Sequence, residues 1–252
     1  MTSAWIIVPT YCEVENLVPL LERLEPALAA CDPPVEATVL VVDDASPDGT
    51  GALADALART RPWLRVLHRE GKGGLAGAYV AGFRRALAAG ADLVVQLDAD
   101  LSHDPADVPR VIAAARGGAD VVLGSRYLEG GGTPGWSTGR RLLSRGGGRY
   151  AAAVLGLDVS DPTGGLKCLT ARALRAVDLD SLSSRGYAFQ IEVTYEAVAA
   201  GLTVAELPIV FRERERGDSK MTAGIALEAL WRVPLLRLHA RHATLGAPVA
   251  AP

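Results

Sequence analysis

An apolar run, Val94-Val95-Gln96-Leu97, ends on two carboxylates one residue apart, Asp98-Ala99-Asp100, and Leu101-Ser102-His103 follows. Strand alternation points Asp98 and Asp100 the same way, with Ala99 opposite. Carboxylates at the carboxyl end of a strand in an α/β sheet stand where such sheets bind ligands. Hard divalent cations take oxygen ligands, typically one or two carboxylates together with substrate phosphates. The triplet therefore suits a nucleotide-diphosphate site with Mg²⁺ or Mn²⁺ on Asp98 and Asp100. It would equally serve as a polar strand end that caps the next helix.

Three further segments carry chemistry. Val41-Val42-Asp43-Asp44 ends on paired aspartates that can accept hydrogen bonds from a base or ribose, while Ser46-Pro47-Asp48-Gly49 is turn and capping chemistry. Between Arg126 and Arg149 stand five arginines (126, 140, 141, 145 and 149) and one acid, Glu129, a composition suited to an anionic second substrate or to a solvated helix face. Arg212-Glu213-Arg214-Glu215-Arg216-Gly217-Asp218-Ser219-Lys220 alternates charge around a glycine and reads as an exposed loop able to bring basic groups over a diphosphate. Gly71-Lys72-Gly73-Gly74 is not a phosphate loop, because no Ser or Thr follows the lysine. Its glycines fit either a tight turn or close approach to a ligand.

These residues need a scaffold that gathers strand ends. Apolar runs at Trp5–Pro9, Ala37–Val42, Leu64–His68, Leu93–Leu97 and Ala119–Gly124 alternate with helical patterns near Asn16–Ala30, Thr50–Arg59, Gly74–Ala89 and Ala106–Arg116. Such alternation predicts an α/β fold with parallel strands, so the polar ends after the first, second and fourth strands converge on one edge. Further on, helices are predicted near Arg140–Leu155 and Phe189–Ala200 and strands near Leu166–Leu169 and Thr203–Phe211. Leu230, Trp231, Pro234, Leu235 and Leu238 share a helical face beside Arg237 and Arg241, which fits a bilayer interface or packing on the protein's own sheet. The expected organisation is a catalytic domain over 1–221, an amphipathic helix over 222–242 and a tail over 243–252.

The chain has 252 residues, 49% hydrophobic and 22% charged, with a net charge of −3, which argues against a general nucleic-acid binder. Cys12, Cys31 and Cys168 are scattered and odd in number, suggesting neither a disulfide framework nor a zinc site, but a reduced, cytosolic chain. No leader and no bilayer-spanning run are predicted. A dinucleotide fingerprint is missing, which disfavours a Rossmann dehydrogenase.

Taken together the segments resemble the polyprenyl- or dolichyl-phosphate mannosyltransferases, also called dolichol-phosphate mannose synthases, among the inverting family 2 glycosyltransferases of GT-A fold. The resemblance runs from Ile7 to Met221, with motifs in order: Pro9-Thr10-Tyr11-Cys12-Glu13, Asp43 to Thr50, Gly74-Leu75-Ala76-Gly77-Ala78-Tyr79, and Asp98 to His103. Gly124-Ser125-Arg126-Tyr127, Trp136 with Arg140 and Ser144-Arg145-Gly146, Asp161-Pro162-Thr163-Gly164, Gly186 to Glu192 and Arg214 to Lys220 complete the set.

The resemblance implies a GT-A fold, a Rossmann-like, mostly parallel sheet flanked by helices, and mannose transfer from GDP-mannose to a polyprenyl phosphate, giving a β-linked product with Mg²⁺ or Mn²⁺ as cofactor. It implies that Pro9, Tyr11, Glu13, Val42 and Asp44 bind guanosine, while Asp98, Ala99 and Asp100 hold diphosphate and metal. Arg126, Arg140 and Ser144 would receive the lipid phosphate, and Arg214 and Lys220 would close over the donor. Asp98, Asp100, Arg126 and Arg214 would carry the catalysis, on a peripheral enzyme at the cytoplasmic face of a membrane. Two positions depart from the family, which usually has Asn at Cys12 and at Gly148. A related transferase with another sugar nucleotide or a soluble acceptor is the competing enzyme. A non-catalytic nucleotide-binding module would predict a damaged metal motif, and Asp98-Ala99-Asp100 is intact.

Overall fold

The computed structural model describes residues 1–180, 182, 186–213 and 232–237. In chain order these form β1 (Thr2–Thr10), α1 (Val14–Ala29), β2 (Val35–Asp43), α2 (Thr50–Ala58), β3 (Leu64–His68), α3 (Gly74–Ala88) and β4 (Leu93–Gln96). Then follow α4 (Val108–Arg116), β5 (Val121–Ser125), α5 (Thr138–Leu155), β6 (Lys167–Thr170), α6 (Ala171–Ala176), α7 (Gly186–Ala199) and β7 (Val204–Pro208). The strands make one seven-stranded sheet in the order β3-β2-β1-β4-β6-β5-β7. Chain order reverses between β1 and β4, and that switch point brings the ends of β1, β2 and β4 to one crevice.

Apolar periodicity explains the layers. Leu17, Leu20, Leu21, Leu24 and Leu28 recur at helical spacing on α1 and pack with Val111 and Ile112 of α4 under Ile6, Val8, Val39, Val41 and Val95. Tyr79 and Phe83 of α3 and Phe189 and Val193 of α7 cover the other face, against Ile7, Leu40, Val42, Val94 and Leu169. Because both faces are covered, β1 is apolar without alternation from Ala4 to Pro9, and β2 from Val39 to Val42.

The sheet is mostly parallel, as expected; the sequence left the direction of β6 unspecified, and β7 and α6 differ from its reading. β6 runs antiparallel to both β4 and β5, because its first residue, Lys167, pairs with Gln96 and Leu123 near the carboxyl ends of those strands. The chain thus re-enters the sheet from the crevice side and delivers the Asp161–Gly165 turn there. β7 stops at Pro208, short of the predicted Phe211, and α6 was not predicted. Of the expected C-terminal helix, only residues 232–237 are described. There Val233 is fully buried and packs with Leu236 against Ala151, Ala152 and Leu155 of α5 and Ile191 and Tyr195 of α7, while Leu235 faces outward. The contact is therefore with helices, not with the sheet. The rest of that helix and the tail lie outside the described residues, as do Arg214 and Lys220.

Lys167 sits completely buried in this sheet, where Nζ donates to the Gln190 carbonyl and to Thr194 Oγ1 of α7. Burial lowers its pKa to about 7, against the upward pull of Asp161. Above that value the unfolded chain binds a proton that the folded chain has shed, so stability rises with pH. From about pH 7 to 8.5 this contributes up to about 1.4 kcal/mol per unit. At higher pH the buried Cys168 thiol, whose pKa is pushed up, acts in the opposite direction. Urea unfolding of the native chain and of Lys167→Met across this window is expected to show the slope only in the native chain. Equal slopes would contradict the assignment.

Candidate active site

The metal-type loop leaves β4 through a strained turn. Leu101 is held at φ 59°, and Cys12 after β1 and Ala45 after β2 are each held at φ 58°. Non-glycine residues rarely adopt this left-handed region, and its occupants cluster where surrounding structure over-determines the backbone. Here all three lie at the crevice.

Asp98 is fixed from several sides. The buried Tyr79 hydroxyl donates to its Oδ1 at 2.8 Å, and His103 Nε2 lies 4.0 Å from Oδ2. Burial, reinforced by the charge of Asp98, raises the Tyr79 pKa well above its usual value, so the phenol remains a donor. A Cβ on Gly165 would come within 2.9 Å of both Asp98 Oδ2 and His103 Nε2, so only glycine lets that turn lie against the carboxylate. Burial holds His103 down to about 4, opposed by Asp100, helped by Arg126 and opposed by Asp161, so the ring is neutral at physiological pH. Asp100 Oδ1 accepts from the Ser102 N–H at 3.0 Å, which turns the loop back toward its strand.

At the β1–β2 end, Asp44 is buried and accepts from the N–H groups of Gly73 (3.0 Å) and Gly74 (2.7 Å) and from the Arg69 guanidinium. The glycine-rich turn therefore cradles an internal carboxylate at the N-terminus of α3, a place suited to negative charge. Tyr11 presents a ring face to Lys72, whose Nζ lies 3.8 Å from the centroid. Glu13 Oε2 accepts from Asn16, and Asp48 accepts the Thr50 N–H at the start of α2, as its capping reading expects, and also the Val14 N–H at the start of α1. Pro9 is buried opposite Val42, whose side chain lies in the core beside Ile7 and the Gly82 backbone, so Val42 can face a ligand only through its backbone.

The basic end is built on aromatic rings. Arg126 is almost fully buried, and Asp161 clamps it bidentately through Nε (2.7 Å) and Nη2 (2.8 Å), with Thr163 Oγ1 at 2.6 Å from Nη2. Burial alone would raise the Asp161 pKa, but the hydrogen bonds and charge of Arg126, with Thr163, outweigh it and leave the carboxyl below its usual range. The Arg126 Cζ lies 5.3–5.6 Å from the ring centroids of Tyr127, Phe211 and Trp136. Arg140 also stacks on the Trp136 ring, with its Cζ 4.1 Å from the centroid. Arg145 lies 5.8 Å from Tyr127, whose hydroxyl donates to Ser144 Oγ at 2.7 Å. Arg126, Arg140 and Ser144 are thus brought to one neighbourhood, with Arg145 beside them.

Residues 5–177 match the family described as glycosyl transferase family 2. The chain is 47% identical over 235 residues to the undecaprenyl-phosphate mannosyltransferase of Micrococcus luteus, covering 93% of this chain and 94% of that one. It is 43% identical over 229 residues to the polyprenol monophosphomannose synthase of Mycolicibacterium smegmatis, covering 90% and 84%. The chain is a family 2 glycosyltransferase. The glucosyl-3-phosphoglycerate synthase of Mycobacterium tuberculosis, solved with Mn²⁺, UDP-glucose and phosphoglyceric acid, superposes with a TM-score of 0.67 at 18% identity. That match covers 94% of this chain and 79% of the other and shows the shared GT-A-type fold.

Sequence reading assigned no role to Tyr79, His103, Asp161, Phe211 or Arg69. For Asp161 a signal existed, an Asp-Pro-Thr-Gly turn entering a strand; for Arg69, whose partner is 25 residues away, none did. Removing one member of a buried ion pair costs about 3–5 kcal/mol, because the other charge is left uncompensated. Asp161→Asn should lower stability by about that amount and should cut transfer activity more than tenfold at temperatures where the variant remains folded. Chemical denaturation alongside initial rates checks this, and an unchanged rate would remove Asp161 from the support of Arg126.

Proposed function

We propose that this glycosyltransferase moves mannose from GDP-mannose to the phosphate of a polyprenyl phosphate, with inversion, giving a polyprenyl phosphate β-mannose. The observation that carries the reading is the pairing, at one sheet edge, of a two-carboxylate loop with guanidinium groups arrayed on Trp136, Phe211 and Tyr127. The relatives named for polyprenyl and undecaprenyl phosphate support the acceptor class.

The donor set fits a divalent ion. Asp98 and Asp100 offer hard oxygen, and among the described residues no cluster of three His, Cys, Asp or Glu would hold a metal alone, which suits an ion completed by substrate phosphates. When bound, Mg²⁺ or Mn²⁺ would neutralise the departing diphosphate. Pro9, Tyr11, Glu13, Val42 and Asp44 would line the nucleoside, with Ala99 beside the diphosphate. Arg126, Arg140 and Ser144 would hold the acceptor phosphate in line with the anomeric carbon, and Arg214 and Lys220 would add positive charge on the donor side. A phosphate monoester is already anionic near neutral pH, so no general base is required, and positioning with charge neutralisation suffices.

No helix among the described residues is long and apolar enough to cross a membrane. On α5, Leu142 and Leu143 are 67% and 72% exposed beside exposed Arg141 and Arg145, and Leu235 is 40% exposed on the helical segment docked to α5. Such a face can lie in a bilayer interface, with anionic lipid adding about 1 kcal/mol per basic residue. The enzyme would meet its lipid peripherally, from the cytoplasmic face, through α5 and the segment over 222–242 that follows the expected catalytic domain over 1–221.

Labelled GDP-mannose, GDP-glucose and UDP-glucose, each offered with a polyprenyl phosphate, test the donor, and only the first is expected to be used. Under the same conditions Asp100→Ala should lose several kcal/mol of transition-state stabilisation, at least a hundredfold in rate. Near-normal turnover at ordinary Mg²⁺ or Mn²⁺ would overturn the metal assignment.

Leu142→Ser with Leu143→Ser should weaken sedimentation with vesicles containing anionic phospholipid while sparing turnover of a short, water-soluble prenyl phosphate. Undiminished vesicle binding would move the membrane contact away from α5.

A further inference from the structure

One carboxylate at the basic end has no part in the chemistry above. Glu213 Oε1 accepts from Arg140 Nη1 at 2.6 Å, so the arginine assigned to the acceptor phosphate already carries an anion from its own chain. Glu213 reaches it from an anchored segment. The Phe211 N–H donates to the Gly132 carbonyl, the Arg212 N–H donates to the Ser102 carbonyl beside the metal-type loop, and the Phe211 ring lies edge-on to both His103 and Trp136. The glutamate is therefore tethered two residues beyond a fixed ring.

We propose that Glu213 is an autoinhibitory counterion that competes with the acceptor phosphate for Arg140. The inference rests on the assignment of Arg140 to that phosphate. The exchange is feasible because the pair is open to water, with the two side chains 48% and 54% exposed, and exposed ion pairs are weak. Arg140 does not depend on Glu213 for its position, since its guanidinium lies on the Trp136 face and its helix is capped by Ser137. Replacing one carboxylate by another monoanion gains no charge. A phosphate monoester brings about 1.5 to 2 negative charges and can bond a guanidinium bidentately, so it wins the exchange. The tethered carboxylate therefore lowers the apparent affinity of every anion that must displace it by the same factor, and only an anion that binds Arg140 strongly keeps useful occupancy.

Calorimetric titration with farnesyl phosphate tests this without reference to the donor, using the full chain, Glu213→Gln, Arg140→Ala and the double variant. Glu213→Gln keeps the side-chain shape at an exposed position. It should bind farnesyl phosphate about two- to fivefold more tightly, the equivalent of one exposed ion pair removed from competition. The same change in the Arg140→Ala background should have no effect. Unchanged or weakened binding by Glu213→Gln, or an equal gain without Arg140, overturns the proposal. If Arg140→Ala alone binds as well as the native chain, the acceptor assignment of Arg140 fails, and the competition falls with it.

Discussion

The site depends on holding a buried guanidinium without losing its usefulness. An isolated charge out of water is costly, and a buried pair is tolerated only where geometry and further hydrogen bonds satisfy it. Asp161 does this for Arg126 with both oxygens, and it also accepts the Arg126 backbone N–H. The requirement propagates outward. Glu206 on β7 accepts from the N–H groups of Ser160 and Asp161 at 2.7 and 2.9 Å, so the turn that carries the counterion is itself fixed by the sheet. The reversal of β6 becomes intelligible in the same terms, since a strand entering from the crevice side places this turn between Arg126 and Asp98.

Internal carboxylates recur at positions designed for anions. Asp44 sits where the N-terminus of α3 and Arg69 converge, Asp161 lies on Arg126, and Glu213 on Arg140. They differ in burial, and burial decides the consequence. Asp44 and Asp161 are nearly inaccessible, so their pairs persist when a substrate lies against Asp44 or Arg126, and they set the shape of the crevice. Glu213 is open to water, so its pair is the exchangeable one. Converging cations around two substrates that are themselves anions would repel one another without such partners, and the aromatic faces of Trp136, Tyr127 and Phe211 spread the remaining charge.

Much of this was legible from residue order. β3 falls on the predicted bounds, and α2 and α3 within a residue of theirs, because each has strong local periodicity and a turn on either side. Asp98 and Asp100 stand out as a polar strand end and Arg126 and Arg140 as members of an arginine-rich run, both local patterns, while the choice of Arg126, Arg140 and Ser144 for the acceptor phosphate comes from the family resemblance. What stayed hidden is non-local. Nothing in the spacing says that Tyr79 donates to Asp98 across 19 residues, or that Lys167, in a short strand, is completely buried. The direction of β6 was equally invisible, since a four-residue strand reads the same either way.

The two departures from the family pattern acquire different physical meanings. At Gly148 the helix α5 continues without a break through Gly146, Gly147 and Gly148, and a Cβ at 148 would meet only Pro162 Cδ at 3.7 Å. Three helical glycines each cost about 1 kcal/mol relative to alanine, so α5 relies on its Ser137 cap and on Ala151, Ala152 and Leu155 packed under it. At Cys12 the issue is conformation. Its φ of 58° is a region that asparagine enters more readily than other side chains, which pay about 1–2 kcal/mol there. The turn is held instead from outside, by Ser46 Oγ accepting the Cys12 N–H and Thr50 Oγ1 accepting the Glu13 N–H. Both acceptors belong to the segment after β2, so the first two loops of the crevice brace each other, and a residue poorly suited to the turn is tolerated because its neighbours leave the backbone no alternative.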